Sequence, residues 1–186
     1  MSNFELNSEL LLGKSFQKLE INSFFEAMKY VKNLPYGRNS NREDFVLVLT
    51  ENKGTCSSKH ALLKSLADEN SQFEFKLMLG IFKMNGINTP KVKETLNKFG
   101  IEYIPEAHNY LKINSIIYDC TTEISSEINF LPDLLEEMEI NPEDVSTKKV
   151  EIHQNFLKNW CEKNSFKLEE IWGIREQCIS DLGSKK

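Results

Sequence analysis

The chain has 186 residues, 40% of them hydrophobic, and a formal net charge of −5 at pH 7. Its lysines are dispersed among acids and form no basic stripe, which argues against nucleic acid as a partner. Every apolar run is shorter than the roughly 18–20 residues that cross a bilayer, so we expect no membrane partner. A chain of this length can bury one core, and we predict a single domain over residues 1–186.

The N-terminal residues lack the pattern of a secretory signal. Glu5 and Glu9 stand where a signal would carry bases, and the apolar stretch Leu10–Leu12 is too short for a signal core. Cysteines without CxxC spacing in an unexported chain are expected to be reduced thiols. They are Cys56, Cys120, Cys161 and Cys178. We therefore predict a cytoplasmic protein. No metal or other cofactor is implied, and the dispersed acids lack the dense carboxylate loop that calcium would need.

The first fifty residues are predicted to form two helices. Apolar residues at helical spacing between Phe16 and Val31 predict the first, which a proline-containing turn ends. Ser40 stands three residues before Glu43, as in a capping box, so we interpret Asn41–Thr50 as the second helix. The apolar run inside that segment would also suit a strand.

The middle of the chain alternates between helical and strand patterns. Residues 56–69 place apolar side chains on one stripe directly after Gly54, which predicts a helix that begins at or beside Cys56. Residues 73–81 alternate apolar with mostly polar or small side chains, the period of a half-buried strand. Residues 89–100 have a Thr-Pro start and a Gly stop, which predicts a short helix.

The C-terminal part, about residues 131–182, is predicted to be helical throughout. Breaks are expected at Asn141-Pro142 and near Asn164-Ser165. Trp160 and Trp172 are interpreted as core of these helices. The sequence thus predicts an α+β fold, in which the helix of the candidate nucleophile packs on an antiparallel sheet and a helical C-terminal extension follows.

Cys56 is the candidate nucleophile because of its position at a helix start. A thiol attacks as the thiolate, which the partial positive charge at a helix N-terminus favours. The same backbone N–H groups can receive a developing oxyanion. The alternative is a buried structural thiol, which is the interpretation we give to the other three cysteines.

His108 and Asp119 are the candidate base and orienter. Residues 107–113 and 116–121 flank Asn114-Ser115, a plausible two-residue hairpin turn. In that register the two side chains lie on one face as diagonal neighbours, roughly 7–8 Å apart between backbone positions. Most apolar residues fall on the other face. The alternative for His108 is a strand histidine satisfied by a neighbour.

Three ordered pieces of the sequence carry a resemblance to a known family. They are Gly54-Thr55-Cys56-Ser57-Ser58-Lys59-His60-Ala61-Leu62-Leu63, Ala107-His108-Asn109-Tyr110-Leu111 and Tyr118-Asp119-Cys120-Thr121. They resemble the transglutaminase-like cysteine enzyme superfamily, which is related to papain-type proteases and has the order Cys, His, Asp. The resemblance covers roughly residues 34–122 and implies that this segment is the core of the domain.

The resemblance implies acyl transfer or hydrolysis at an amide or ester carbonyl through a thioester. The substrate would be a peptide, a protein or a small amide or ester. The alternative is a catalytically silent fold that acts as a protein-binding module, because Ser57-Ser58 and Asn109-Tyr110 stand where family members commonly have an acid and a tryptophan. The sequence does not indicate the oligomeric state.

Five further polar residues are candidates for a role in the site. His60 lies one turn after the nucleophile, and helix packing or a solvated edge is favoured over a base or a metal ligand. His153 is interpreted as a surface residue and Glu106 as an exposed carboxylate. Tyr36 and Asn39 are candidates for a second oxyanion donor, which stays unassigned.

Overall fold

The computed structural model describes residues 3–184 and has an α+β architecture. The α-helices are α1 (Leu11–Gln17), α2 (Phe24–Asn33), α3 (Leu47–Thr50), α4 (Cys56–Glu69), α5 (Lys93–Lys98), α6 (Thr147–Asn164) and α7 (Leu168–Gly183). The strands are β1 (Lys76–Asn85), β2 (Tyr103–Ile113), β3 (Ile116–Tyr118) and β4 (Leu134–Ile140). The strands form one antiparallel sheet with the order β3-β2-β1-β4.

The sheet is buried on both faces because its alternating side chains enter two hydrophobic cores. One core joins a sheet face to helices α1, α2 and α4, and includes Phe16, Phe24, Leu62, Leu66, Leu77, Leu79 and Leu111. The other core joins the opposite face to the C-terminal helices, and includes Met78, Phe82, Tyr110, Phe130, Leu157 and Ile171. The site described below lies between these layers.

The prediction of α4 is confirmed at both ends, at Cys56 and Glu69. The single N-terminal helix that we predicted is wrong, because the chain forms α1 and α2 with a break between them. Glu20 in the break has a positive φ of 61°. The carboxylate of Glu26 then accepts hydrogen bonds from the backbone N–H groups before α2, including that of Ser23 at 2.9 Å. These contacts start a new helix rather than extend the first.

The predicted helix over Asn41–Thr50 is largely replaced by turns, and only α3 at its end is helical. Ser40 does not cap it with Glu43, because the Ser40 backbone N–H and hydroxyl both bond Glu51. The side chain of Asn41 accepts instead from the backbone N–H of Glu43 at 3.0 Å. Local side-chain bonds of this kind compete with helical hydrogen bonding.

The predicted hairpin is confirmed, with Ile113 opposite Ile116. Asn114 and Ser115 both have positive φ angles, 47° and 71°, as a two-residue turn with the twist of the strands requires. The strand predicted at residues 73–81 is confirmed with a shift toward the C-terminus.

The helix predicted over residues 89–100 is observed as a 3₁₀ turn at Pro90–Val92 followed by α5. The helical interpretation of residues 131–140 is wrong. Leu134–Ile140 is strand β4, which pairs with β1 at the edge of the sheet.

The rest of the C-terminal prediction is confirmed. Helices α6 and α7 are separated at Ser165, which caps α6 in the left-handed conformation. The side chains of α6 that are buried lie on one stripe and are Lys149, His153, Leu157 and Cys161. None of the helices within residues 3–184 has the length and apolar composition needed to cross a membrane.

Candidate active site

Cys56 is the first residue of α4, and its position is set by a capping box. The Thr55 side chain accepts from the Ser58 N–H at 3.4 Å, and the Ser58 hydroxyl accepts from the Thr55 N–H at 3.0 Å. A Cβ at Gly54 would lie 2.8 Å from Lys59 and 3.0 Å from Ser58, so the close approach before the helix requires glycine. The thiol is therefore held at a helix N-terminus, where the first backbone N–H groups have no helical acceptor.

His108 and Asp119 are in contact, with 3.0 Å between Nε2 of the imidazole and Oδ2 of the carboxylate. The β2–β3 ladder ends at Leu111 opposite Tyr118, so Asp119 lies just beyond it. Its other oxygen accepts from the Thr121 N–H at 2.9 Å. The backbone carbonyl of Thr121 also accepts from the ammonium of Lys59 in α4 at 2.7 Å, which connects the segment of Asp119 to the helix that begins at Cys56.

The charges of this pair stabilise each other. Burial by itself would lower the pKa of His108, but Asp119 and, to a smaller extent, the thiolate of Cys56 together outweigh it and raise that pKa to about 10. Burial would raise the pKa of Asp119, but His108 outweighs it and holds that pKa well below its usual range. Since Nε2 faces the carboxylate, Nδ1 of His108 is the nitrogen available to the thiol.

Burial alone would raise the pKa of Cys56, and two cations reverse that effect. Lys149 contributes most to the lowering, and His108 follows through charge and hydrogen bonding, which brings the pKa to about 6. The combination of a lowered thiol pKa and a raised imidazole pKa favours a thiolate–imidazolium pair at neutral pH.

Lys149 is a site residue that the sequence analysis missed. Its Nζ lies 3.6 Å from Sγ of Cys56 and donates to the side-chain oxygens of Ser57 and Asn109, both at 2.8 Å. The residue is 7% exposed and comes from α6, far from the resembling pieces. A signal was present, since Lys149 and His153 occupy the apolar stripe of a helix, and a buried lysine needs a partner.

The predicted exposure of Glu106 and His153 is wrong, because both are buried where α6 and α7 pack on β2. Both carboxylate oxygens of Glu106 are bonded by the guanidinium of Arg175, at 2.6 and 2.8 Å. Burial would raise the pKa of Glu106, but Arg175 lowers it to about 2. His153 is buried, which lowers its pKa, and its Nε2–H donates to the carbonyl of Pro105 at 2.8 Å.

His60 is a packing residue, as favoured above, and is buried rather than at a solvated edge. Its Nε2 accepts from the backbone N–H of Cys120 at 2.7 Å, so its Nδ1–H donates to the carbonyl of Cys56 at 2.7 Å. Both nitrogens are occupied in the neutral ring. Burial lowers the pKa of His60 to about 4.

The two candidates for a second oxyanion donor, Tyr36 and Asn39, differ in whether their polar groups already have partners. The amide of Asn39 donates to Glu51 and to the carbonyl of Lys53, and its oxygen accepts from Ser58. By contrast, the hydroxyl of Tyr36 has no hydrogen-bond partner among residues 3–184. Tyr36 lines the same cavities as the thiol.

Two cavities meet at Cys56, and both also contact Tyr36, Glu106 and Ile179. The larger, here the apolar cavity, is about 370 Å³ and is lined by Phe82, Met84, Phe130 and Leu182, with His108 and Asp119. The smaller, here the cationic cavity, is about 100 Å³ and is lined by Arg38, Arg42, Lys149 and Arg175, with Ser57 and Trp172. Within residues 3–184, no group of three or more His, Cys, Asp or Glu side chains is placed to hold a metal ion.

Comparisons with known proteins add little to this geometry. No family model matches the chain, and no curated protein matches it. A crystal structure of a candidate cysteine protease from Cytophaga hutchinsonii is similar, with 14% sequence identity and a TM-score of 0.40. The similarity covers 72% of this chain and 43% of that one, so the chain spans less than half of that protein's length.

Proposed function

We propose that the protein is a thiol-dependent hydrolase or acyltransferase of the transglutaminase-like type, built as one domain. Cys56 is the nucleophile, His108 the general base and acid, and Asp119 the residue that orients the imidazole. The observation that carries this proposal is the 3.0 Å contact between the His108 imidazole and the Asp119 carboxylate in the site of a buried thiol at a helix N-terminus. The lowered pKa of Cys56 and the raised pKa of His108 agree with it.

The proposed reaction follows from which atoms hold protons. With the thiol proton on His108, Sγ of Cys56 attacks the substrate carbonyl and forms an S–C bond. The tetrahedral intermediate collapses as the C–N or C–O bond to the leaving group breaks, and the imidazolium protonates that group. A water or an amine then gives its proton to His108 and attacks the thioester, and the imidazolium returns the proton to the departing sulfur.

Two kinds of donor are proposed for the oxyanion. The first is a backbone N–H of the first turn of α4, beside Cys56. The second is the hydroxyl of Tyr36, which has no other partner within the described chain. Burial and the nearby thiolate raise the pKa of Tyr36, so it stays a protonated donor. Lys149 is proposed to act as a positioning residue, because its ammonium favours the thiolate before attack.

The proposed substrate is a peptide, a protein or a small amide or ester, and the proposed setting is the reducing cytoplasm. A thiol nucleophile requires its sulfur to be reduced. All four cysteines are free in the structure.

The test is the rate of alkylation by iodoacetamide against pH, followed at individual peptides by mass spectrometry. In the native protein, Cys56 is expected to react at pH values well below 8.5, the ordinary thiol pKa. In His108→Ala its profile should move to higher pH. Cys120 is an internal reference in the same sample, because burial raises its pKa to about 12.

An ordinary Cys56 profile that His108→Ala leaves unchanged would contradict the proposal. It would favour instead the silent fold that acts as a binding module.

A further inference from the structure

The two cavities that meet at Cys56 have opposite chemistry. Aromatic and aliphatic side chains such as Phe82 and Phe130 line the apolar cavity. Exposed Ile124, which is 89% exposed, also borders it and extends its apolar surface toward solvent. Four cations and a single carboxylate, Glu106, line the cationic cavity. A substrate that occupies both sides of the thiol would therefore need one apolar and one anionic part.

The cationic cavity retains positive charge after its internal ion pairs are counted. Arg175 is neutralised, because it bonds Glu106 with two nitrogens. Arg38 shares one salt bridge with Glu176, at 2.7 Å. Arg42 has no ion-pair or hydrogen-bond partner among residues 3–184, which leaves its guanidinium available to a bidentate carboxylate.

Lys149 needs an anion at a particular moment of the proposed reaction. Before attack its ammonium faces the thiolate of Cys56, and its other partners are the neutral oxygens of Ser57 and Asn109. Formation of the thioester removes the negative charge from sulfur. A buried ammonium without a counter-charge is costly, so an anionic substituent on the bound acyl group would stabilise the intermediate.

The position of His108 decides which part of the substrate lies on which side. The leaving group receives its proton from this imidazole and must lie within hydrogen-bond reach of it. His108 lines the apolar cavity and not the cationic one. Thr55, Ser57 and Ser58, from the first turn of α4, line the cationic cavity. The leaving group thus belongs in the apolar cavity and the acyl group in the cationic cavity.

We propose that the substrate is an ester or amide whose short acyl group carries a carboxylate and whose leaving group is apolar. This inference rests on the proposed function of Cys56 and adds its substrate class. In acylation, Sγ bonds to the acyl carbon while the bond to the leaving group breaks and His108 protonates that group. Water then cleaves the thioester and releases a dicarboxylic acid, with the carboxylate on Arg42 unchanged throughout.

The test compares three chromogenic esters that differ in where the charge lies. Mono-4-nitrophenyl glutarate has an anionic acyl group, and 4-nitrophenyl pentanoate has a neutral acyl group of the same length. The third, 3-pentanoyloxy-4-nitrobenzoate, carries the charge on the leaving group. The glutarate ester is expected to have a kcat/KM about tenfold or more above both others, the value of one good charge-assisted pair.

Two variants assign that preference to the cationic cavity. In Arg42→Gln the ratio of kcat/KM for glutarate over pentanoate should fall toward one. Lys158→Gln removes the same charge from an exposed position of α6 outside both cavities, and the ratio should stay as in the native protein. The native ratio should also fall as salt is added, because Arg42 is exposed.

The outcomes separate this inference from the proposed function. Equal kcat/KM values for the three esters, with Cys56 acylated by each in mass spectra, would overturn the substrate assignment alone. A preference for the nitrobenzoate ester would overturn the assigned direction. If none of the three esters acylates Cys56 and the thiol has an ordinary pKa of about 8.5, both the substrate assignment and the proposed function would be overturned.

Discussion

Two buried cysteine–histidine pairs lie near Asp119, and they titrate in opposite ways. The thiol of Cys56 interacts with the His108 ring, whereas Cys120 contacts the His60 ring only through its backbone N–H. In the first, the pKa of Cys56 is lowered to about 6 and that of His108 is raised to about 10. In the second, burial raises the pKa of Cys120 to about 12 and lowers that of His60 to about 4. The two rings are 6.3 Å apart between their centres.

The difference between the pairs shows that burial does not activate a thiol by itself. Asp119 Oδ2 is 3.0 Å from His108, whereas its Oδ1 is 3.8 Å from His60. Both nitrogens of His60 are also occupied by backbone groups, which hold the ring neutral. At Cys56 and His108, the short contact with Asp119 and the ammonium of Lys149 shift the pKa values more than burial does. At Cys120 and His60, burial determines the direction of both pKa shifts.

Removing the carboxylate should give the largest effect, because it makes the first pair resemble the second. Asp119→Asn is expected to lower kcat by about 10⁴-fold, since the amide favours the wrong imidazole tautomer. The pKa of Cys56 should rise, which the alkylation profile measures. An unchanged profile in a variant with native circular dichroism would show that Asp119 does not sustain the ion pair.

Tyr36 lines the cavities at Cys56, and its loss should lower kcat with little effect on the pKa values of Cys56 and His108. Tyr36→Phe removes one proposed oxyanion donor and is expected to lower kcat by about 10²–10³-fold. Steady-state hydrolysis of the glutarate ester measures it. If kcat is retained, the second donor is another group.

Lys149→Met should have an intermediate effect, because methionine keeps much of the volume and removes the charge. The pKa of Cys56 is expected to rise from about 6 by one to two units, and kcat/KM at pH 7 to fall by about 2–10-fold with the thiolate fraction. Lys149→Arg should retain most of the pKa lowering. Lys158→Met, on the exposed face of the same helix, is the matched control and should leave the alkylation profile unchanged.

His60→Leu should change stability rather than titration of the nucleophile. It leaves the backbone N–H of Cys120 unpaired, at a cost of about 1–3 kcal/mol near pH 7. Unfolded His60 binds a proton near pH 6.5, but folded His60 does so only near pH 4. The native protein therefore loses stability as the pH falls through this window, and the variant lacks that loss. The difference in urea midpoint between the native protein and His60→Leu should therefore be smaller at pH 5 than at pH 7. An equal difference at both pH values would contradict a neutral, buried His60 ring.

Cys56→Ser should produce the smallest effect, on the pH dependence of unfolding. A raised His108 pKa contributes stability that is lost as the pH rises from about 6.5 toward 10. The lowered Cys56 pKa acts in the opposite direction above about pH 6, so the two nearly cancel in the native protein. Without the thiolate, the variant is expected to lose on the order of 1 kcal/mol between pH 6 and pH 9. A native-like, flat profile would show that His108 has no raised pKa once the thiolate is removed.

The local elements of the fold could be predicted because their signals lie in short segments. The capping pattern before Cys56 and the two-residue turn at Asn114-Ser115 are determined by neighbours in sequence. Strand β4 was missed because its apolar and acidic side chains alternate only weakly. Its strand conformation is stabilised by pairing with β1, which the local pattern does not show. Edge strands depend on a partner elsewhere in the chain.

Only part of the site could be predicted from the sequence, for a related reason. The placement of His108 beside Asp119 follows from one hairpin, but Lys149, Arg175 and His153 reach the thiol region through the docking of α6 and α7. The docking of these helices is a tertiary event, and the pattern of one segment does not specify where that segment docks. The available clue was the presence of charged or polar side chains on the buried stripes of these helices.

The distance along the chain between Cys56 and Lys149 has a consequence for biosynthesis. The two residues are 93 positions apart, and the lysine comes later. A ribosome therefore incorporates Cys56 well before it incorporates Lys149, whose ammonium contributes most to lowering the pKa of the thiol. During synthesis the growing polypeptide carries an unactivated thiol, and its reactivity develops only when α6 has been made and has docked.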